Sequence, residues 1–161
     1  MRLNSFTFKH AVGLAQFLTL HASQTLTRHM QVELLAALTH NPEVRDTLFP
    51  AAPNKTLRLL WLAVADAPNA TRDATCNALC LASLAAENHA DALGLVTRAF
   101  EKNSRHEMTR LLFSLLQTGF PFERLRSMSH ESAMGLRGEF IKDPIRANRP
   151  FVLPDAAVHP D

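Results

Sequence analysis

The side chains best equipped for chemistry in this chain are two cysteines, Cys76 and Cys80, and eight histidines. The thiols stand four residues apart, so a helix would carry both on one face. That is half of a tetrahedral zinc set, and two more ligands would have to converge from elsewhere. His89 and His106, at the starts of expected helices, would reach them only by a coincidence of packing. Cysteine in an Ala-rich helix is far more often a small apolar core residue, and we read both that way. A disulfide between them inside a helix would be strained. His10, His21, His29 and His40 fall in the N-terminal segments without H-E-x-x-H or comparable spacing. They are expected at the surface or at caps, with His29 and Glu33 as an i, i+4 pair.

Nucleophile and phosphate-binding signatures are missing: there is no G-x-S-x-G, no G-x-x-x-x-G-K-S/T and no G-x-G-x-x-G. Gly135 and Gly138 are too isolated to cradle a phosphate. A serine or carboxylate site assembled only by the fold stays open. The spacing points to no catalytic residue, no metal and no cofactor.

Charge narrows the partners. The formal net charge is +2, too small to imply a polyanion by itself. Arg124, Arg126, Arg137, Lys142, Arg146 and Arg149 give the C-terminal third a basic bias, but Glu123, Glu131, Glu139 and Asp143 interleave with them. A nucleic-acid groove needs a concentrated positive face, so a solvated mixed face is the expectation and nucleic acid is not favoured. Residues 1–32 hold no acid, and Arg2 and Lys9 ahead of an apolar run from Ala11 to Leu20 would suit a leader cut near His21-Ala22-Ser23. Gln16 and Thr19 interrupt that run, and it is far too short to span a bilayer. A cytoplasmic location is expected, with no membrane partner, and the two cysteines fit a reducing compartment.

The elements that would position these groups are helices. Of 161 residues, 47% are hydrophobic and 20% charged, with only five glycines and no tyrosine. Ala and Leu abound and β-branched residues never alternate, which favours helix over sheet. A first helix is expected over about Thr7–His21 with Phe8, Val12, Ala15 and Leu18 inward. A second runs from near Thr25 to Thr39 on Leu26, Met30, Leu34 and Leu38. Asn41-Pro42-Glu43 reads as cap, first-turn proline and acid. Asn54–Ala67 should turn Trp61 inward, and 70–87 should bury Cys76, Leu79, Cys80, Ser83 and Leu84. Asn88 with Asp91 resembles a capping box before Ala92, Leu93, Val96, Ala99 and Phe100. Ser104 to Glu107 is a capping box before Met108, Leu111, Leu112, Leu115 and Leu116, all expected inward. Gly119 is placed for a left-handed turn and Pro121 follows. Beyond it we expect short helices at Phe122–Met128 and Glu131–Gly138. The prolines after Phe140 then argue for an extended tail lying against the body. The whole is one all-α domain of about seven to eight antiparallel helices over residues 1–139, with a tail over 140–161.

The central helices echo a tetratricopeptide pair: Leu79 and Cys80 take a large-then-small position, and Ala92, Val96 and Ala99 the matching ones in the next helix. Ser104 stands where proline is usual, and no second unit follows. The segment Asn41-Pro42-Glu43-Val44-Arg45-Asp46 resembles one in an uncharacterised actinobacterial family, domain-of-unknown-function 4192. Leu60-Trp61, the Ala/Leu/Cys helix, Ala92 to Glu101, and Leu111-Leu112 through Gly119-Phe120-Pro121 follow in similar order. The likeness covers residues 40–136 and implies the helical C-terminal portion of that family, with no chemistry attached.

The functional expectation is a non-enzymatic helical domain that binds another protein or its own copy. Phe120, Phe122, Phe140 and Phe151, with Phe6, would form an interaction surface if several stayed exposed on one face; otherwise the tail folds over them. The rivals are nucleic-acid binding through the basic third, and a small-molecule or enzymatic pocket between helices.

Overall fold

A computed structural model describes residues 6–20 and 27–154. The His21-Ala22-Ser23 cleavage point, Leu26 and the end of the tail lie outside the described residues. Nine helices follow one another there: α1 (Phe8–Leu20), α2 (Arg28–Thr39), α3 (Pro42–Asp46), α4 (Lys55–Ala65), α5 (Arg72–Leu84), α6 (His89–Lys102), α7 (Glu107–Gln117), α8 (Phe122–Lys142) and α9 (Pro144–Ala147). The only β pairing among these residues is an isolated antiparallel bridge between Thr7 and Pro150.

The molecule is built around α5. Every residue from Cys76 to Ala86 is buried, as befits a helix that is apolar or small on all sides. Ala78, Cys80 and Ala82 keep its girth low, so α4 and α6 pack along it, α7 touches it beyond α6, and α2 lies against α4 and α5. Leu79, Cys80, Ala92, Val96 and Ala99 are all buried. Trp61 is turned inward as its spacing predicts, and so are Phe8, Val12, Ala15 and Leu18 of α1.

Local signals explain most boundaries. Asn41 Oδ1 accepts from the Glu43 and Val44 N–H groups, and Thr27, Asn54, Thr71 and Asn88 cap α2, α4, α5 and α6 in the same manner. At the end of α7, Gly119 takes φ +86°. Its N–H bonds Leu116 O and that of Phe120 bonds Leu115 O, the paired pattern that lets a left-handed glycine close a helix.

Several expectations are corrected. The cap of α7 is His106, whose side chain accepts from Thr109 N–H, and not Ser104. Asp91 does not complete a box with Asn88; it grips Arg58 of α4 in two bonds of 2.7 and 2.8 Å. On α7, Leu112 and Leu116 are buried, Met108 and Leu115 are partly covered, and Leu111 is 55% exposed. At 100° per residue Leu111 stands about 140° from Leu116. The helix has rolled to bury Thr109, which bonds inward. On α2, Met30 is exposed and Gln31 is buried in its place, donating to Leu18 O at 2.7 Å.

The largest correction is at the C-terminal end. The two short helices expected there are one continuous helix of 21 residues, α8. Its buried stripe is interrupted by Arg126 and by half-buried Ser129, so hydrophobic periodicity underreports it. Pro144 does not prolong an extended tail: it opens α9, with Asp143 Oδ1 accepting from Ile145 and Arg146 N–H. The helical body therefore runs to Ala147, past the expected limit at residue 139. Only then does the chain extend, with Phe8 N–H donating to Arg149 O and Phe151 N–H to Phe6 O.

Candidate functional site: the outward face of the long C-terminal helix

The four phenylalanines proposed as an interaction surface do not form one. Phe122, Phe140 and Phe151 are buried and Phe120 is half-buried against the core. Phe122 and Phe140 stand about 27 Å apart along α8, from its rise of 1.5 Å per residue. Phe140 stacks on Phe8, and Phe151 meets Phe8 and Phe6 edge-on. The tail covers this cluster, because burying three rings outweighs the freedom of a short segment. Not every apolar residue of the expected tail packs on the body: Ile145 and Leu153 are exposed, Ile145 at 87%.

The basic groups are largely committed. Arg126 is fully buried: its guanidinium donates to Leu84 O at 2.8 Å and to Ala86 O, and pairs with Glu123 at 2.7 Å. It thereby caps the carbonyl end of α5, where a cation is favoured. Arg137 donates to Thr47 O, and Arg146 and Arg149 both bind Glu43 at the start of α3. Arg146 and Arg149 also lie over the Phe140 and Phe8 rings. What is left on α8 is Arg124 and Lys142, too little for a phosphate-binding stripe.

The cysteines and His106 form a buried polar chain. Arg45 and His106 both donate to Asn77 Oδ1, at 2.9 and 2.7 Å, and Asn77 donates to Thr39 O. His106 Nδ1 accepts from Thr109 N–H and lies 2.9 Å from Thr109 Oγ1, which contacts the Cys80 Sγ at 3.5 Å. Cys–Thr–His contact invites a nucleophilic reading, but the environment opposes it. Burial pushes the Cys80 thiol up to about 12 and Cys76 to about 11, so neither supplies a thiolate near neutral pH. Burial, and then the charge of Arg45, holds the His106 pKa below its ordinary value. Both of its nitrogens are engaged. Outside this chain lies a cleft of about 290 Å³, where His40, Arg45, Asp73, Arg105 and Glu107 present mixed charge. No group of three or more metal-ligating side chains occurs among the described residues.

The surface feature that the sequence reading missed is the outward side of α8. Phe122, Arg126, Ala133 and Phe140 define its buried line. Opposite them run Arg124, Ser127, Glu131, Gly135, Gly138 and Lys142. Met134, 50% exposed, and Ile141, 79% exposed, border this line. A β-carbon added at Gly135 or Gly138 would meet nothing within 4 Å. Neither glycine is demanded by packing among the described residues, although each costs a helix about 1 kcal/mol against alanine. The signal lay in plain sight as two glycines within a helical segment; only the continuity of α8 puts them on one open face.

No protein-family model, no curated protein and no solved structure matches this chain. No helix among the described residues is long and apolar enough to cross a membrane.

Proposed function

We propose that this is a non-enzymatic helical domain that associates with a second copy of itself through the outward face of α8. The observation that carries the reading is the pair Gly135 and Gly138 on an open face bordered by exposed Met134 and Ile141. Glycine on a helix surface lets a second helix approach closely. The face is also self-complementary. A two-fold axis midway between Gly135 and Gly138 sets each glycine opposite the other of an antiparallel copy, and the same register sets Glu131 opposite Lys142. Neither of these charged residues has an ion-pair partner within the described chain. A cytoplasmic location belongs to this reading, supported by two unpaired buried thiols. So does kinship with the helical family named above, which rests on segment order alone.

Sedimentation velocity of the full chain over a wide concentration range tests it. A dimer that weakens in Glu131→Lys and in Lys142→Glu, and recovers in the double exchange, is the expected result. Gly138→Ala should raise the melting temperature at low concentration through helix propensity while weakening the dimer. Monomer mass at every concentration, or single exchanges without effect on the dimer, would overturn the reading.

A further inference from the structure

A second feature, independent of association, lies on a different side of α8. The end of α1, the connection between α3 and α4, the start of α4 and the middle of α8 enclose a cleft of about 400 Å³. That falls within the ~300–1,000 Å³ typical of small-ligand sites. Leu48, Phe49, Leu57 and Trp61 supply apolar walls, and among the described residues no acid lines the space.

Its polar groups converge with positive character. Arg137 uses Nε–H on Thr47 O at 2.7 Å and touches Met134 Sδ at 3.5 Å. No carboxylate pairs with it among the described residues. Arg45, Arg58, Arg126, Arg146 and Arg149 each have one. Partial burial of the guanidinium lowers its pKa, as expected of a charge that has lost water without gaining a carboxylate. His130 faces the same cleft with Nδ1 bound to Phe49 O, which leaves Nε2 unengaged. Asn54 and Thr56, at the amino end of α4, line it as well, and the helix dipole adds positive potential there.

We infer that this cleft binds a carboxylate carried on an apolar chain, the acid group on Arg137 and the chain against Trp61 and Leu57. A guanidinium fork takes a carboxylate in paired bonds, and the apolar walls have no use for a fully hydrated ion. The inference names a ligand class and requires no reaction.

Calorimetric titration of the full chain with octanoate and with octanol tests it, because the two share a tail and differ in the head. Octanoate should bind more tightly by roughly tenfold or more, the usual weight of hydrogen bonds to a charged group. Arg137→Met should abolish that preference and leave octanol binding unchanged. Thr56→Glu places an acid at the cleft in a helix position that favours it, so folding is retained while octanoate is repelled. Equal affinity for acid and alcohol in the wild type, no binding of either, or a preference that survives both substitutions would overturn the inference.

Discussion

His106 occupies a position where protonation has a structural consequence. Its Nδ1 must stay unprotonated to accept from Thr109 N–H and so cap α7, while Nε2–H serves Asn77 beside the Arg45 guanidinium. Burial and then Arg45 lower its pKa and prevail over Asp73 and Glu107, which pull it upward. The unfolded chain therefore takes this proton at a higher pH than the folded one. The stabilisation is whole above the unfolded value and is lost as pH falls towards the folded one. We expect urea denaturation to show stability dropping as pH falls below the ordinary histidine range, and dropping less in His106→Asn, which keeps a capping oxygen but cannot titrate. Identical slopes for the two proteins would remove His106 as the cause. The sequence placed this histidine at a helix start. Its partners Arg45 and Asn77 lie far away along the chain, and no local spacing marks them.

At the scale of elements, one helix end is completed by another helix. The last carbonyls of α5 lie inside the molecule, where water cannot serve them, and Arg126 of α8 answers for Leu84 and Ala86 together. Arg126→Met should cost about 3 kcal/mol, since two buried acceptors lose their donor. Arg126→Lys should recover only part of this, because an ammonium lacks the planar fork that reaches both carbonyls. Equilibrium unfolding measures both, and a loss below about 1 kcal/mol for the methionine variant would show that the carbonyls find other donors. By contrast α7 ends within its own segment: Gly119 and the two bonds around it suffice, which is why that boundary was readable and the link from α5 to α8 was not.

For the molecule as a whole, the C-terminal segment acts as a clasp. Phe151 fills the ring cluster with Phe6 and Phe8, and two backbone bonds tie residues 6–8 to 149–151. Glu43 of α3 holds Arg146 and Arg149 from the other side. Phe151→Ala should cost about 3 kcal/mol, as emptying a buried ring site does. It should also speed hydrogen exchange at the Phe8 amide, whose acceptor is Arg149 O, ahead of exchange in α5. Unchanged exchange at Phe8 would mean that α1 is held without the clasp.

What the sequence determined by itself is whatever is decided within a few residues. The helical rhythm of α1, α4 and α5, the caps at Asn41 and Asn88, and the glycine that closes α7 all depend on neighbours one to four positions away, and all stand as the spacing predicts. What only the tertiary structure decided is which face of an ambiguous helix turns inward, and which charges are consumed. Leu111 gave up its place to Thr109 because Cys80 and His106 were there to receive the hydroxyl. Arg126, Arg146 and Arg149 ceased to be a basic surface because carbonyls, rings and Glu43 lay within reach once the chain had closed. Contacts between residues forty to a hundred positions apart leave no periodic trace in a sequence, and in this protein they set the surface on which function rests.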